Sequence, residues 1–310
     1  MNRCPITYNE CGENLYSSEG LKLLSSGLDE LKPLQFTQEE LRLKAFSGSG
    51  EFSLPGSSLK LLAKINLAAK SFEISAAKGK YILKPQSVLY SGVPENEDLT
   101  MKMAKLCGIE VPVHGLIYNY DKSLTYFIRR FDRGPGKTKY QAEDFAQLLG
   151  KYRHQKFDSS LEEIAGIINK YCTFPVLEKI KLLRFALFNY LIGNCGVHLK
   201  KYSLIKRHSV IMLSPFYGLV NTVILYDKTG SEISLPLNGK KKDINKNDFF
   251  EYFGIKILNL NSKSLLGVLN DFEDSISKWL DLIQKSFLSM HYKEKYIKVL
   301  EQRINKFFKQ

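Results

Sequence analysis

Several features that mark particular classes of protein are missing from this sequence of 310 residues. No window reaches the roughly 18 consecutive apolar residues of a membrane helix, and the start, MNRCPITYNECGEN, lacks the apolar run of a signal peptide. The five cysteines are scattered and form no CxxC motif, and the five histidines show no metal-ligand spacing. We therefore expect a cytoplasmic protein with reduced thiols, no membrane segment, no disulfide framework and no zinc site.

The charge of the chain is strongly unbalanced. Lysine and arginine number 45 against 32 aspartates and glutamates, which gives a formal net charge of +13. A basic surface attracts acidic proteins, nucleotides and nucleic acids. The lysines are spread along the chain, however, and no recognisable nucleic-acid module accompanies them. We favour a solvated basic surface, an acidic protein partner or a nucleotide ligand over direct nucleic-acid contact.

The first part of the chain reads mostly as strands. Helix starts are indicated at residues 17–19 and, by a capping-box pattern, at 37–40. A turn-rich segment, SGSGEFSLPGSS, then leads into apolar alternation that predicts an antiparallel meander. The strand candidates lie at 59–67, 72–74, 81–83, 113–119 and 124–131. Between them, Pro94 opens a helix that Gly108 ends.

From residue 143 onward the pattern is mainly helical. Apolar periodicity and start signals predict helices over 143–152 and 160–172 and from Pro175 onward, followed by a short β interlude over 202–237. Apolar stripes at helical spacing over 265–287 and 297–307 predict two further core helices. Together these elements predict an α+β fold. We predict a β-rich lobe over 1–133 and a helical lobe over 134–310.

Four features occur in the order found in protein kinases. A Gly/Ser segment over 47–58 can fold over phosphates, and Lys84, at the end of an apolar strand, can hold the α- and β-phosphates. Glu97, early in the next helix, can pair with this lysine, and the strand YFIRRFDR can form an interlobe hinge. Each residue has a simpler explanation: Lys84 can be an edge lysine that reaches solvent, and Glu97 can complement its helix dipole. The shared order favours the kinase interpretation.

The motifs YILKP, PENEDLTMKMAKLCGIEVP, IRRFDR, EDFAQLLGKY, LIGNCGVHLKKYSLI and LPLNGKKKD resemble the successive motifs of the bacterial HipA toxin kinases. The start, with YSSEGLKLLS and LQFTQEEL, is most similar to the short HipT branch. The resemblance implies a two-lobed kinase-like fold and an ancestral Ser/Thr kinase activity on a translation factor. It also implies two protein partners of a toxin–antitoxin system, a small HipS-like protein and a DNA-binding HipB-like antitoxin.

The resemblance also implies roles for individual residues. The implied nucleotide-binding residues are Gly56, Lys84, Glu97, Arg129, Arg130 and Phe131. Ser53 lies near the serines that family members autophosphorylate, which makes it a candidate phosphosite. The residues that keep the frame of the catalytic loop are Asn194, His198 and Lys200.

The catalytic positions themselves depart from the family pattern. In the family the loop reads approximately GNxDxHxKN, with the aspartate as base and the last asparagine as metal ligand. Here Gly196 stands at the base position and Lys201 at the metal-binding position. A second metal ligand follows a tyrosine in the family, and this chain has Gly218 there. The three residues offer no oxygen ligand, and a lysine ammonium repels a divalent cation.

The sequence therefore predicts a pseudokinase with no metal site. Its Lys201 ammonium would lie roughly where a metal would bind, so ATP or ADP would be held without Mg²⁺. The alternative is an atypical active Ser/Thr kinase toxin, or another transferase, that recruits an acid from elsewhere; the nearest acids in the sequence are Glu143, Asp144 and Asp227. A cysteine enzyme built on Cys195 and His198 is less favoured, because no acidic residue is nearby to orient the histidine.

Overall fold

The computed structural model describes residues 2–47, 59–75, 79–226 and 230–308, which form two compact units. Unit 1 contains Met1–Leu99, Pro112–Arg130 and Gln284–Ser289. Unit 2 contains Thr100–Val111, Phe131–Ile283 and Met290–Gln310. Both units combine helices with antiparallel strands, so the α+β class is confirmed. The predicted continuous lobes, 1–133 and 134–310, remain a prediction. Within the described ranges, no helix is long and apolar enough to cross a membrane.

Unit 1 is built on a five-stranded antiparallel sheet. Its strands are β1 (Leu61–Asn66), β2 (Ser71–Ile74), β3 (Tyr81–Lys84), β4 (His114–Tyr118) and β5 (Leu124–Arg129). Their spatial order is β2-β1-β3-β5-β4. The predicted strands are confirmed, but the meander order is wrong, because β3 pairs with β1 instead of β2. Gly79 permits this path: a Cβ there would lie 2.8 Å from the Ala63 backbone nitrogen, so the chain passes close to β1 before β3 begins.

Two short helices precede this sheet. They are α1 (Ser18–Leu24) and α2 (Gln38–Ser47). Ser17 caps α1 through its hydroxyl, which accepts the Gly20 N–H. The predicted capping box is present at α2, because Thr37 Oγ1 accepts the Glu40 N–H and Glu40 Oε2 accepts the Thr37 N–H. The core of unit 1 joins the apolar sides of these helices to the sheet, with Phe72, Tyr81 and Phe127 in mutual ring contact.

Helix α3 (Val93–Leu106) carries one of the candidate site residues, Glu97, and its end was predicted correctly. Gly108 has a φ of +76°. Its N–H donates to Lys105 O, and the Ile109 N–H donates to Ala104 O. These two bonds form a Schellman motif, which satisfies carbonyls that a helix end would otherwise leave unpaired.

Unit 2 combines long helices with a three-stranded sheet of order β6-β7-β8. The strands are β6 (Gln141–Asp144), β7 (Ser203–Arg207) and β8 (Val210–Leu213). The helices are α4 (Phe145–Leu148), α5 (Leu161–Tyr171), α6 (Pro175–Leu191), α7 (Ser262–Lys285) and α8 (Met290–Phe308), with a π-helix over Asp248–Ile257. The predicted helices at α5, α6, α7 and α8 are confirmed.

The helix predicted over 143–152 is confirmed only over Phe145–Leu148, so it is wrong at both ends. Glu143 lies in β6 opposite Leu204, and Asp144 ends that strand. The Asp144 side chain accepts the Gln147 N–H and caps α4, so the helix can begin only after it. Gly150 follows at a φ of +64°, where the chain leaves the helix. An acidic cap was therefore mistaken for the interior of a helix.

Candidate functional site

In unit 1, Lys84 and Glu97 form a shielded ion pair. Lys84 Nζ bonds to Glu97 Oε1, and the side chains are only 14% and 5% exposed. Strand β3 lies between β1 and β5, so Lys84 is not an edge lysine that reaches water. The predicted pairing of these two residues is therefore present. Their predicted role in nucleotide binding remains a prediction.

A second lysine lies beside this pair. Leu61 is opposite Leu83 in the β1–β3 register, and continuing that register places Lys60 opposite Lys84. Burial lowers the pKa of Lys60, the Lys84 ammonium lowers it further, and Glu97 partly offsets both effects. On the other side of β3, strand β5 places Tyr126 opposite Lys84. The Lys84 ammonium lies 5.3 Å from the centre of the Tyr126 ring. Two cations thus share one carboxylate in a half-buried place, which suits an added anion.

The predicted hinge residues have different environments. The Arg129 guanidinium donates to the Tyr81 hydroxyl and to the carbonyls of Leu23 and Leu24 at 2.8–3.2 Å, so its side chain is held inside unit 1. The Arg130 N–H donates to Lys80 O. Phe131 belongs to unit 2, where its ring stacks on Tyr217 at a centroid distance of 5.3 Å.

Ser53, the candidate phosphosite, and Gly56, the glycine of the phosphate loop, lie outside the described residues.

In unit 2, the loop after α6 has a well-ordered frame. Asn194 donates to Asn189 Oδ1 at 2.7 Å and accepts the Gly196 N–H through its own Oδ1 at 3.2 Å. The Cys195 N–H donates to Thr222 Oγ1 at 2.9 Å. Gly193 has a φ of +72° and is packed so closely that a Cβ would lie 2.8 Å from Val299 Cγ1. The loop conformation is thus fixed independently of the residue at 196.

At Gly196 a side chain could begin if the Thr222 methyl group moved by a few tenths of an ångström. A Cβ built there would lie 3.3 Å from Thr222 Cγ2 and 3.6 Å from Asn194 Oδ1, and the backbone does not adopt a positive φ. The missing base is therefore a chemical loss and not a consequence of crowding in the loop.

Gly218 differs from Gly196 in its backbone. Its φ is +68°, and a Cβ there would overlap Lys201 Nζ. The ammonium of Lys201 thus occupies the space where a side chain at position 218 would begin. Lys201 and Gly218 are neighbours in space, a relation that their separation of 17 residues does not show, and the contact involves only the flexible end of the lysine side chain.

These residues do not fit a metal ion. Gly196 and Gly218 have no side-chain oxygen, and an ammonium fills the space beside Gly218. In addition, no group of three His, Cys, Asp or Glu side chains in the described part of the chain is arranged to hold a metal.

His198 is a packing residue of the loop. Its ring contacts Phe157 edge to face at 5.2 Å. Burial lowers its pKa to about 4, and the nearby ammonium groups of Lys201, Lys156 and Lys200 contribute to the shift. Cys195 Sγ points elsewhere, donating to Ser231 O at 3.1 Å. This arrangement gives no support to a Cys–His nucleophile.

Of the acids considered as replacements, Asp144 contacts the loop. Its Oδ2 is 3.1 Å from Lys200 Nζ, and the carboxylate is 13% exposed. Glu143 is exposed on β6, and Asp227 lies outside the described residues. Sequence reasoning missed the cross-strand neighbours Lys60 and Tyr126, which only the strand register reveals.

Comparisons with known proteins indicate the family and the fold of this chain. The family model described as "HipA-like C-terminal domain" matches residues 52–280. Two relatives carry the name "Putative kinase". The first, from Haemophilus influenzae, is 29% identical over 239 residues, which cover 71% of this chain and 68% of that protein. The second, Y4dM from Sinorhizobium fredii, is 33% identical over 200 residues, covering 60% of this chain and 48% of that protein. This chain thus spans about half to two thirds of these relatives.

Among solved structures, HipA of Shewanella oneidensis, determined with HipB and operator DNA, has a TM-score of 0.70 at 22% identity. The match covers 91% of this chain and 73% of that one. At this identity the likeness shows the fold. The predicted kinase-like fold of the HipA type is therefore confirmed.

Proposed function

The chain belongs to the HipA-like C-terminal domain family, and from that premise we propose that it is a pseudokinase. In this proposal it binds a nucleotide or another phosphate ligand without Mg²⁺, acts through protein partners and transfers no phosphoryl group. Transfer depends on positioning, on metal ions that neutralise the phosphate charge and on a base that orients the nucleophile. Loss of one acid–base group alone costs about 10²–10⁴-fold in rate.

The observation that carries the proposal is the placement of Lys201 against Gly218. An ammonium fills the space where a metal-binding side chain at 218 would begin. A fixed positive charge at this point attracts phosphate and repels a divalent ion. The lysine thus supplies a positive charge beside a position that carries no carboxylate to hold a metal.

The charges of unit 1 support phosphate binding independently. Lys60 and Lys84 share the single carboxylate of Glu97 in half-buried surroundings. An anion beside Lys60 and Lys84 would be attracted by both ammonium groups, and its binding would favour the charged form of Lys60.

Partners are proposed from the relatives. The Shewanella oneidensis HipA structure contains HipB and operator DNA. By extension, we propose a HipB-like antitoxin and a small HipS-like protein as partners of this chain. Its net charge of +13 suits acidic surfaces on such proteins.

One observation favours a second candidate, an atypical Ser/Thr kinase toxin. Asp144, at the end of β6, brings a carboxylate to 3.1 Å from Lys200 of the loop. In this candidate Asp144 would replace the missing base. Its oxygens are already engaged by the Gln147 N–H and the Lys200 ammonium, so we rank this candidate second.

Transfer of labelled phosphate from γ-labelled ATP, with Mg²⁺ or Mn²⁺, tests the proposal. The natural chain should label neither itself nor an added protein mixture. Gly196→Asp alone should stay inactive, because the metal positions are still lost. The triple variant Gly196→Asp, Lys201→Asn, Gly218→Asp is the form expected to gain transfer, with the same variant carrying Lys84→Ala as its inactive control.

Label incorporated by the natural chain and abolished by Lys84→Ala would contradict the pseudokinase proposal. Further loss of that activity in Asp144→Asn, with Glu143→Gln as the matched neighbour, would establish the second candidate.

A further inference from the structure

The start of α6 exposes an unusual concentration of apolar surface in unit 2. Tyr171, Phe174, Val176 and Leu177 are 36%, 56%, 59% and 57% exposed. We refer to these four side chains as the α6 patch. Single exposed apolar residues are normal, whereas a local cluster of large ones marks a surface that another molecule covers.

The backbone that presents the patch is firmly anchored. The Thr173 N–H donates to Ile211 O at 2.9 Å, and the Ile211 N–H donates to Thr173 Oγ1 at 2.9 Å. Glu178 lies below the patch, where its carboxylate accepts the Leu213 N–H at 2.9 Å. These bonds also cover the outer edge of β8. The patch is therefore a side-chain surface on a fixed support, and β8 is not a free edge for strand addition.

The electrostatics around the patch favour an acidic partner. Glu178 is the one acidic residue in the first turn of α6, and it is 4% exposed and paired with Lys181. Lys170 lies on the rim, with its ammonium 4.9 Å from the centre of the Tyr171 ring. Lys206 is exposed on β7 opposite Ile211, about 10 Å across two strand spacings from Thr173.

The start of α6 has no side-chain cap, although Glu178 lies within its first turn. Phe174 occupies the N-cap position and has no side-chain acceptor, and Pro175 follows it. The first N–H groups of a helix favour a carboxylate or another acceptor. An acidic side chain supplied from outside would satisfy them beside the apolar surface.

We propose that the α6 patch docks an acidic amphipathic segment of a partner protein. Its apolar side chains cover Phe174, Val176 and Leu177, and one of its carboxylates caps α6 while others face Lys170 and Lys206. The α6 patch shares no residue with the candidate phosphate-binding residues, so this proposal does not depend on the pseudokinase proposal.

The probe is a fluorescent helix-forming peptide of about 16 residues with leucines at positions i, i+3, i+4 and i+7 and glutamates elsewhere. Its counterpart carries lysines in place of the glutamates. With the full chain, the glutamate peptide should bind at micromolar concentration and shift the methyl NMR signals of Val176 and Leu177. Leu177→Asp should weaken binding about tenfold or more, and Lys206→Glu should weaken it less.

The matched control is Leu266→Asp, because Leu266 is a 56% exposed apolar residue on α7 and should leave binding unchanged. Circular dichroism confirms that each variant is folded. Equal binding of both peptides, or binding that survives Leu177→Asp, would overturn the proposal. So would self-association of the chain, or oligonucleotide binding, that Leu177→Asp abolishes, since each would assign the patch to a different occupant.

Discussion

Replacing Glu97 with glutamine should destabilise the protein more than replacing Lys84 with methionine, although the two residues form one ion pair. The carboxylate is 5% exposed and compensates two ammonium groups, those of Lys84 and Lys60. Glu97→Gln leaves both cations uncompensated, and breaking a shielded pair in this way costs about 3–5 kcal/mol. Lys84→Met leaves Glu97 beside Lys60 and removes the repulsion between the lysines, so its cost should be about 1–2 kcal/mol.

Urea unfolding at neutral pH, followed by circular dichroism, measures this difference. The fluorescence of the single tryptophan, Trp279, is the wrong probe, because Trp279 lies in unit 2 and the pair lies in unit 1. Inorganic phosphate should restore part of the stability of Glu97→Gln and much less of that of Lys84→Met. An equal cost for the two variants, or a larger one for Lys84→Met, would refute the assignment of Lys60 as the second cation of the cluster.

Two further predictions concern the loop of unit 2. The pKa of His198 is about 4 in the folded protein against 6.5 for a free histidine, so the unfolded chain takes up the proton first as the pH falls. The free energy of unfolding should therefore fall by about 2–3 kcal/mol as the pH is lowered from roughly 6.5 to 4. His198→Gln should remove this loss, and the control His291→Gln should retain it. A difference in stability between His198→Gln and the natural chain that does not change with pH would contradict the prediction. Gly218→Ala should cost about 1–2 kcal/mol in urea unfolding, because a side chain at its positive φ is strained. Gly196→Ala should cost less, because only the Thr222 methyl group must shift. The reverse order would contradict the environment assigned at each position.

The sequence predicted those parts of the fold that local chemistry determines. The Schellman end of α3 at Gly108 and the capping box at Thr37 follow from residues within one helical turn. The order of the strands depends on non-local packing, such as the approach of Gly79 to Ala63, and the meander prediction failed there. The helix predicted from residue 143 began too early for a related reason, because Asp144 both caps a helix and ends a strand.

In the candidate site, too, the sequence predicted what motif order determines and missed what three-dimensional packing determines. Motif order predicted that Lys84 and Glu97 would meet, and the structure brings them together. Lys60 could not be paired with Lys84 without knowledge of the strand register. The departures at Lys201 and Gly218 were visible as separate changes, but their proximity is a property of three-dimensional packing.

The central claim, phosphate binding without metal, is tested most directly by the thermal stability of the full chain with ATP in EDTA and in Mg²⁺. The account predicts that ATP raises the melting temperature in EDTA and that Mg²⁺ adds nothing to the shift. It also predicts that Lys201→Asn reduces the shift in EDTA, whereas the exposed control Lys263→Asn leaves it unchanged. Stabilisation by ATP that requires Mg²⁺, or no stabilisation in either condition, would contradict the account.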